Sequence, residues 1–154
     1  MMVPWPFAQW GLDILGPFPI GTRQIKLLVV GIDYFTKYVE AKPLAKITQQ
    51  NAKKFVWKSI VCQFGVPRVL VSDNGRQFNN TPFRDFCKQL GIKNHYSSPS
   101  HPQANEQEEV TNQSLLKIIK TRLEGAKGVW PDGLPSVLWA YRTIVKTPHE
   151  GNSF

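Results

Sequence analysis

Ile25-Lys26-Leu27-Leu28-Val29-Val30-Gly31-Ile32 is apolar apart from Lys26 and rich in branched side chains. A run this short and this branched reads as a β-strand covered on both faces. Before it, Phe7 to Leu15 reads as a strand entered through Pro4-Trp5-Pro6 and stopped by Gly16-Pro17. After it, Tyr38 to Lys42 reads as a third, reached through the Tyr34-Phe35-Thr36-Lys37 turn. Connections this short pair strands antiparallel. Thr48 can then cap a helix in which Ala52, Phe55, Val56, Ser59 and Ile60 recur at helical spacing, stopped by Gly65 and Pro67. Val69 to Val71 forms a short strand that delivers Asp73 at its carboxyl end. Thr81-Pro82 opens a second helix with Phe83, Phe86, Cys87 and Leu90 on one face, ended by Gly91, and Ile92 to Tyr96 is a fifth strand. The polar segment Ser97 to Ala104 reads as a loop, followed by a long helix from Pro102 or Gln103 to Leu123 with Leu115, Ile118, Ile119 and Leu123 as its buried stripe. Ala126 to Pro131 connects it to a last helix carrying Leu134, Val137, Leu138, Tyr141 and Val145, in which Pro135 is tolerable only in the first turn. This order predicts an α/β domain, a five-stranded mixed sheet with helices on both faces.

A chain of 154 residues makes one domain, 1–154, able to bury about two thirds of its unfolded surface. Its 42% apolar and 12% aromatic content is that of a globular protein, which excludes a disordered chain. The net charge of +8 favours polyanionic partners. Cys62 and Cys87 both fall on helical patterns, so no disulfide scaffold is expected and a reducing compartment is. No apolar stretch approaches the roughly 18 residues of a membrane span, so no membrane partner is expected. Met1 to Trp10 has no basic start and carries two prolines, unlike a secretion signal.

Three carboxylates stand out. Asp13 lies inside an apolar strand, Asp73 sits in Val71-Ser72-Asp73-Asn74-Gly75, and Glu109 opens a long helical pattern with 35 residues between it and Asp73. An aspartate inside an apolar strand needs a reason, and three such groups sharing one site need a cation to neutralise them. Magnesium fits, being a hard cation with oxygen ligands and positions left open for phosphates. Two such ions can clamp the attacking and leaving oxygens of a phosphodiester. The bland alternatives are a surface carboxylate or a cap, and for Asp73, with Asn-Gly after it, a plain turn residue. Glu106 shares a helix face with Glu109, whereas Glu108 is turned by about 100°. Acids in a first helical turn also have a harmless reading in the helix dipole.

These segments resemble the catalytic core of retroviral and LTR-retrotransposon integrases, most closely the gypsy type. The resemblance is carried by Trp10-Gly11-Leu12-Asp13 with Gly16-Pro17, and by Val30-Gly31-Ile32-Asp33-Tyr34-Phe35-Thr36-Lys37. It continues through Ser72-Asp73-Asn74-Gly75-Arg76-Gln77-Phe78, Ser98-Pro99-Ser100-His101-Pro102-Gln103-Ala104-Asn105, Glu109 and Leu138-Trp139-Ala140-Tyr141-Arg142-Thr143. It implies a ribonuclease H-like fold with a D,D-35-E triad of Asp13, Asp73 and Glu109, and leaves Asp33 out of that triad. By analogy Asp13 bridges two magnesium ions while Asp73 and Glu109 each hold one; manganese can substitute. The implied activity is polynucleotidyl transfer: trimming the ends of a linear retroelement DNA and joining the 3′-hydroxyls to target DNA. The implied partners are DNA and further copies of the chain, with Trp57, Trp130 and Trp139 as candidate contacts, although core packing suits Trp139 better. The implied location is the nucleus, after a cytoplasmic particle. The family's zinc-binding domain before the core and DNA-binding domain after it have no counterpart in this sequence, which is therefore expected to be a fragment.

The expected DNA-binding residues are Lys117 and Lys120, three apart on one helix face, with Arg76, Lys93, His101 and Gln103. Any one of these cations also reads as a solvated surface charge. Three departures from the family pattern stand at the site helix: Glu106 for glycine, Glu108 for a small apolar residue, and Gln113 for a base. All shift it toward negative charge, which predicts weaker DNA engagement, as in a decaying element. The rival readings are a DNA-binding or dimerising remnant without turnover, and a ribonuclease H-like nuclease without strand joining. A serine nucleophile at Ser97 or Ser98 with His101 lacks the glycine-flanked elbow, and His95, His101, His149 and the cysteines lack paired zinc spacing.

Overall fold

The computed structural model describes residues 5–73, 75–97 and 106–152. Three strands come first: β1 (Gln9–Leu15), β2 (Leu27–Asp33) and β3 (Val39–Leu44). A helix follows that is α-helical over Gln49–Phe55, π-helical over Val56–Val61 and α-helical again over Cys62–Phe64; together these form α1. Then come β4 (Val69–Ser72), α2 (Thr81–Leu90), β5 (Lys93–Tyr96), α3 (Glu106–Gly125) and α4 (Trp130–Asn152). The sheet order is β3-β2-β1-β4-β5. As the short connections predict, β1, β2 and β3 pair antiparallel, while β4 and β5 join parallel through their helical crossovers.

Local chemistry sets the element ends. Thr48 Oγ1 accepts from the Asn51 N–H at 3.1 Å to cap α1. Asn80 Oδ1 accepts from Phe83 N–H at 2.9 Å to cap α2, and Gly91, in the left-handed region at φ 76°, closes it. Alternation along β2 divides the interior. Leu28, Val30 and Ile32 pack with Leu116, Ile119 and Leu123 of α3 and Leu134, Leu138 and Tyr141 of α4. Val29 joins Trp10, Leu12, Phe55, Ile60, Leu70 and Phe83 on the α1/α2 face. Helices thus cover both faces.

Several expectations are corrected. On α3 the buried stripe is Leu116, Ile119 and Leu123; Leu115 is half-buried and Ile118 is exposed, because the helix is rotated so that Asn112 is also buried. The last helix starts at Trp130, within the expected connector, so Pro135 lies past its first turn. Trp130 fixes that start: it is fully buried, packs tilted against Phe18 with ring centroids 4.5 Å apart, and donates from Nε1 to the Pro19 carbonyl at 2.8 Å. It is therefore a core residue and not a contact for another copy. Trp139 goes the other way and is 71% exposed, because Leu138 and Tyr141 take the core-facing positions of α4. Trp57 is 45% exposed.

Candidate active site

The parallel register of the sheet places the first two acids. Gln9, Trp10 and Gly11 pair with Val69, Leu70 and Val71. Asp13, two residues further along β1, and Asp73, the residue just past the end of β4, each follow this pairing by two positions and line the cleft on one face of the sheet. That face is covered by α3, whose first turn carries Glu109. Asp13, Asp73 and Glu109 line one open cleft of about 890 Å³, together with Tyr34, Gln113, Lys117 and Lys120.

Each carboxylate is held differently. Asp13 Oδ1 accepts from Ile14 N–H at 2.8 Å, and Oδ2 from Gln113 Nε2 at 3.4 Å. Burial pushes the Asp13 carboxyl above its ordinary range and the neighbouring Asp73 charge adds to the rise, while the two hydrogen bonds oppose it. Asp73 is exposed, and its Oδ1 accepts from Gly75 N–H at 2.9 Å. A Cβ on Gly75 would stand only 2.9 Å from that oxygen, so only glycine leaves the carboxylate in place. Glu109 Oε2 is buried without a hydrogen-bond partner among the described residues. Tyr34 is buried beneath the site, over Gly11, where a Cβ would meet its ring at 3.1 Å. Burial raises the Tyr34 phenol strongly, and Glu109 and then Glu108 raise it further.

Two mutually repelling carboxylates and a third with a stranded oxygen form an all-oxygen donor set that suits a hard divalent cation. As placed, the three share the cleft without closing on a common point: among the described residues no three His, Cys, Asp or Glu side chains form a group able to hold one ion.

The other expected residues are distributed as follows. Lys117 and Lys120 line the cleft. Arg76 lines a separate groove of about 350 Å³ with Thr48, Gln49, Gln77 and Asn80. Lys93 is exposed opposite Val69, at the far end of β5 from the carboxylates. His101 and Gln103 lie outside the described residues, as does the Glu106 side chain. Asp33 is fully buried and structural: Oδ1 accepts from Phe7 N–H at 3.0 Å, and Oδ2 from Thr36 N–H at 2.9 Å and Thr36 Oγ1 at 2.6 Å. Two residues were not expected to face the acids. Gln113 follows Glu109 by one turn, so helical spacing could have placed it there, but Tyr34 reaches the site only through the β1–β2 register.

A β3-β2-β1-β4-β5 sheet covered by helices on both faces, with a cleft lined by acids and lysines beside its central strands, is the architecture of the ribonuclease H-like fold. The Integrase core domain family (rve) matches residues 4–102, which include Asp13 and Asp73 but stop short of Glu109. The chain belongs to that family. It is 30% identical over 151 residues to the Pro-Pol polyprotein of simian foamy virus type 3 (strain LK3), covering 94% of this chain and 13% of that protein. It is 26% identical over 143 residues to the Pol polyprotein from transposon 412 of Drosophila melanogaster, covering 93% and 12%. The chain thus spans about an eighth of these relatives' length. The catalytic core domain of BIV integrase shares the fold, with a TM-score of 0.66 and 20% identity over 85% of this chain and 80% of that one. No helix among the described residues is long and apolar enough to cross a membrane.

Proposed function

We propose that this chain is the metal-dependent catalytic core of a retrotransposon integrase, processing the 3′-ends of element DNA and transferring them into target DNA. The observation that carries this reading is one cleft lined by Asp13, Asp73 and Glu109 that also holds Lys117 and Lys120. Asp13, Asp73 and Glu109 would hold two magnesium ions, or manganese in their place. When bound, these ions would raise the nucleophilicity of a water or a DNA 3′-hydroxyl and stabilise the departing oxygen.

The chain's own residues supply position and charge. Lys117 and Lys120 draw the phosphodiester backbone along α3 toward the acids. Gln113 donates to Asp13 Oδ2 and so holds one carboxylate oxygen facing the cleft. The half-buried setting of Asp13 and Glu109 strengthens the charge interactions made there. Homo-oligomeric assembly and work on nuclear DNA belong to the same proposal.

The test is turnover of a branched DNA with magnesium or manganese, beside an Asp73→Asn control. Cleavage or joining that disappears in the control supports the reading. Absence of turnover in the wild type favours a DNA-binding remnant. That second reading is supported by the open arrangement of the three acids, which among the described residues do not form a group able to hold one ion.

A further inference from the structure

The turn after β2 reaches across to the helix that carries Glu109. Lys37 sits there with φ 66°, a left-handed conformation unusual for a side chain-bearing residue. The turn is held from within: Asp33 bonds both Thr36 donors, and the Lys37 N–H donates to the Asp33 carbonyl at 2.8 Å. It is also held from outside, since the Tyr141 hydroxyl donates to the Lys37 carbonyl at 2.6 Å. From this rigid seat Lys37 Nζ ion-pairs with Glu108 and donates to Asn112 Oδ1 at 2.9 Å. Glu108 and Asn112 are one turn apart on α3, so the lysine grips a single helix face.

Glu109 is offset from that face by about 100°. Fixing the rotation of the 108/112 face therefore fixes where Glu109 points. No bond of Glu109 Oε2 itself does so, because that oxygen has no partner among the described residues. Glu108, one of the three departures toward negative charge, is thus neutralised by a lysine instead of being presented to DNA.

We propose that Lys37 and Glu108 are positioning residues of the carboxylate site, locking the rotation of α3 that presents Glu109 to the cleft. This rests on the reading of Asp13, Asp73 and Glu109 as a cation site. The test uses the full chain as wild type, Asp73→Asn, Lys37→Met, Glu108→Gln, and the charge swap Lys37→Glu with Glu108→Lys. In the swap, the introduced carboxylate can accept from Asn112 Nδ2, which has no partner among the described residues. Free Mn2+ is measured by electron paramagnetic resonance well below each variant's Tm, and turnover of branched DNA is measured in parallel. Each single variant is expected to bind Mn2+ about tenfold more weakly and to turn over more slowly. The swap is expected to recover most of that loss. Single variants that lower Tm but bind Mn2+ as the wild type does would overturn the proposal and leave the cation site standing. A swap that recovers nothing would also overturn it. Equal Mn2+ binding by wild type and Asp73→Asn would remove the cation site itself, and this inference with it.

Discussion

Replacing Asp73 by Asn should stabilise the cation-free protein while destroying the site. Asp13 and Asp73 follow paired positions of neighbouring parallel strands by two residues each, and the strand spacing of about 4.8 Å sets the scale for their charge separation. Two unit charges at that distance repel by about 3.5 kcal/mol at an effective dielectric of 20 and by about 0.9 kcal/mol in water. Asp73 is exposed, so the lower figure governs, and a gain of about 1 kcal/mol is expected. For a domain of this size that raises Tm by about 2–4 °C. Asn keeps an oxygen to accept from Gly75 N–H, so no hydrogen bond is lost in the exchange.

The pH dependence follows from Asp13. Its folded-state affinity for a proton is raised above the ordinary value of 3.8, so the penalty of keeping it ionised is fully present at neutral pH. The penalty fades as pH falls through the raised value toward 3.8, and the advantage of Asp73→Asn should fade with it. Magnesium reverses the order: at a hundredfold excess over its Kd it should add about 2.7 kcal/mol to the wild type and much less to the variant. Differential scanning calorimetry in EDTA and in magnesium, from neutral pH down to pH 4, measures all three effects. A variant less stable than wild type in EDTA, or an undiminished magnesium shift in Asp73→Asn, would refute the reasoning.

Asp33→Ala should cost about 3 kcal/mol by urea denaturation, because Phe7 N–H and Thr36 N–H lose their acceptor in a buried place. Gly75→Ala should lower turnover and Mn2+ affinity about tenfold with little change in Tm, because the added methyl displaces the Asp73 carboxylate; DNA binding in EDTA should not change. Lys117→Ala and Lys120→Ala should each weaken binding of unrelated DNA sequences alike and reduce the slope of log affinity against log salt by about 1, measured by fluorescence anisotropy.

Some of this protein was legible in its sequence. Branched, apolar runs and turns specified the strands and their antiparallel start, because the five-residue connection from β2 to β3 leaves few other pairings. Thr48 and Gly91 marked helix ends through local hydrogen bonding and backbone freedom, which act within a few residues. Asp13 was also readable as a candidate, since a charge amid apolar sequence is conspicuous, whereas Asp73 and Glu109 stood out through the family resemblance and its spacing of 35 residues. Tertiary structure decided what depends on rotation and on register between distant segments. The rotation of α3 buried Asn112 and Leu116 and exposed Ile118, and the start of α4 at Trp130 turned Trp139 to solvent. The parallel pairing of β1 with β4 set Asp13 beside Asp73, and the reach of Lys37 to Glu108 joined residues 71 apart in sequence. Local periodicity names the faces of a helix, but only packing against the sheet selects which of them is turned inward.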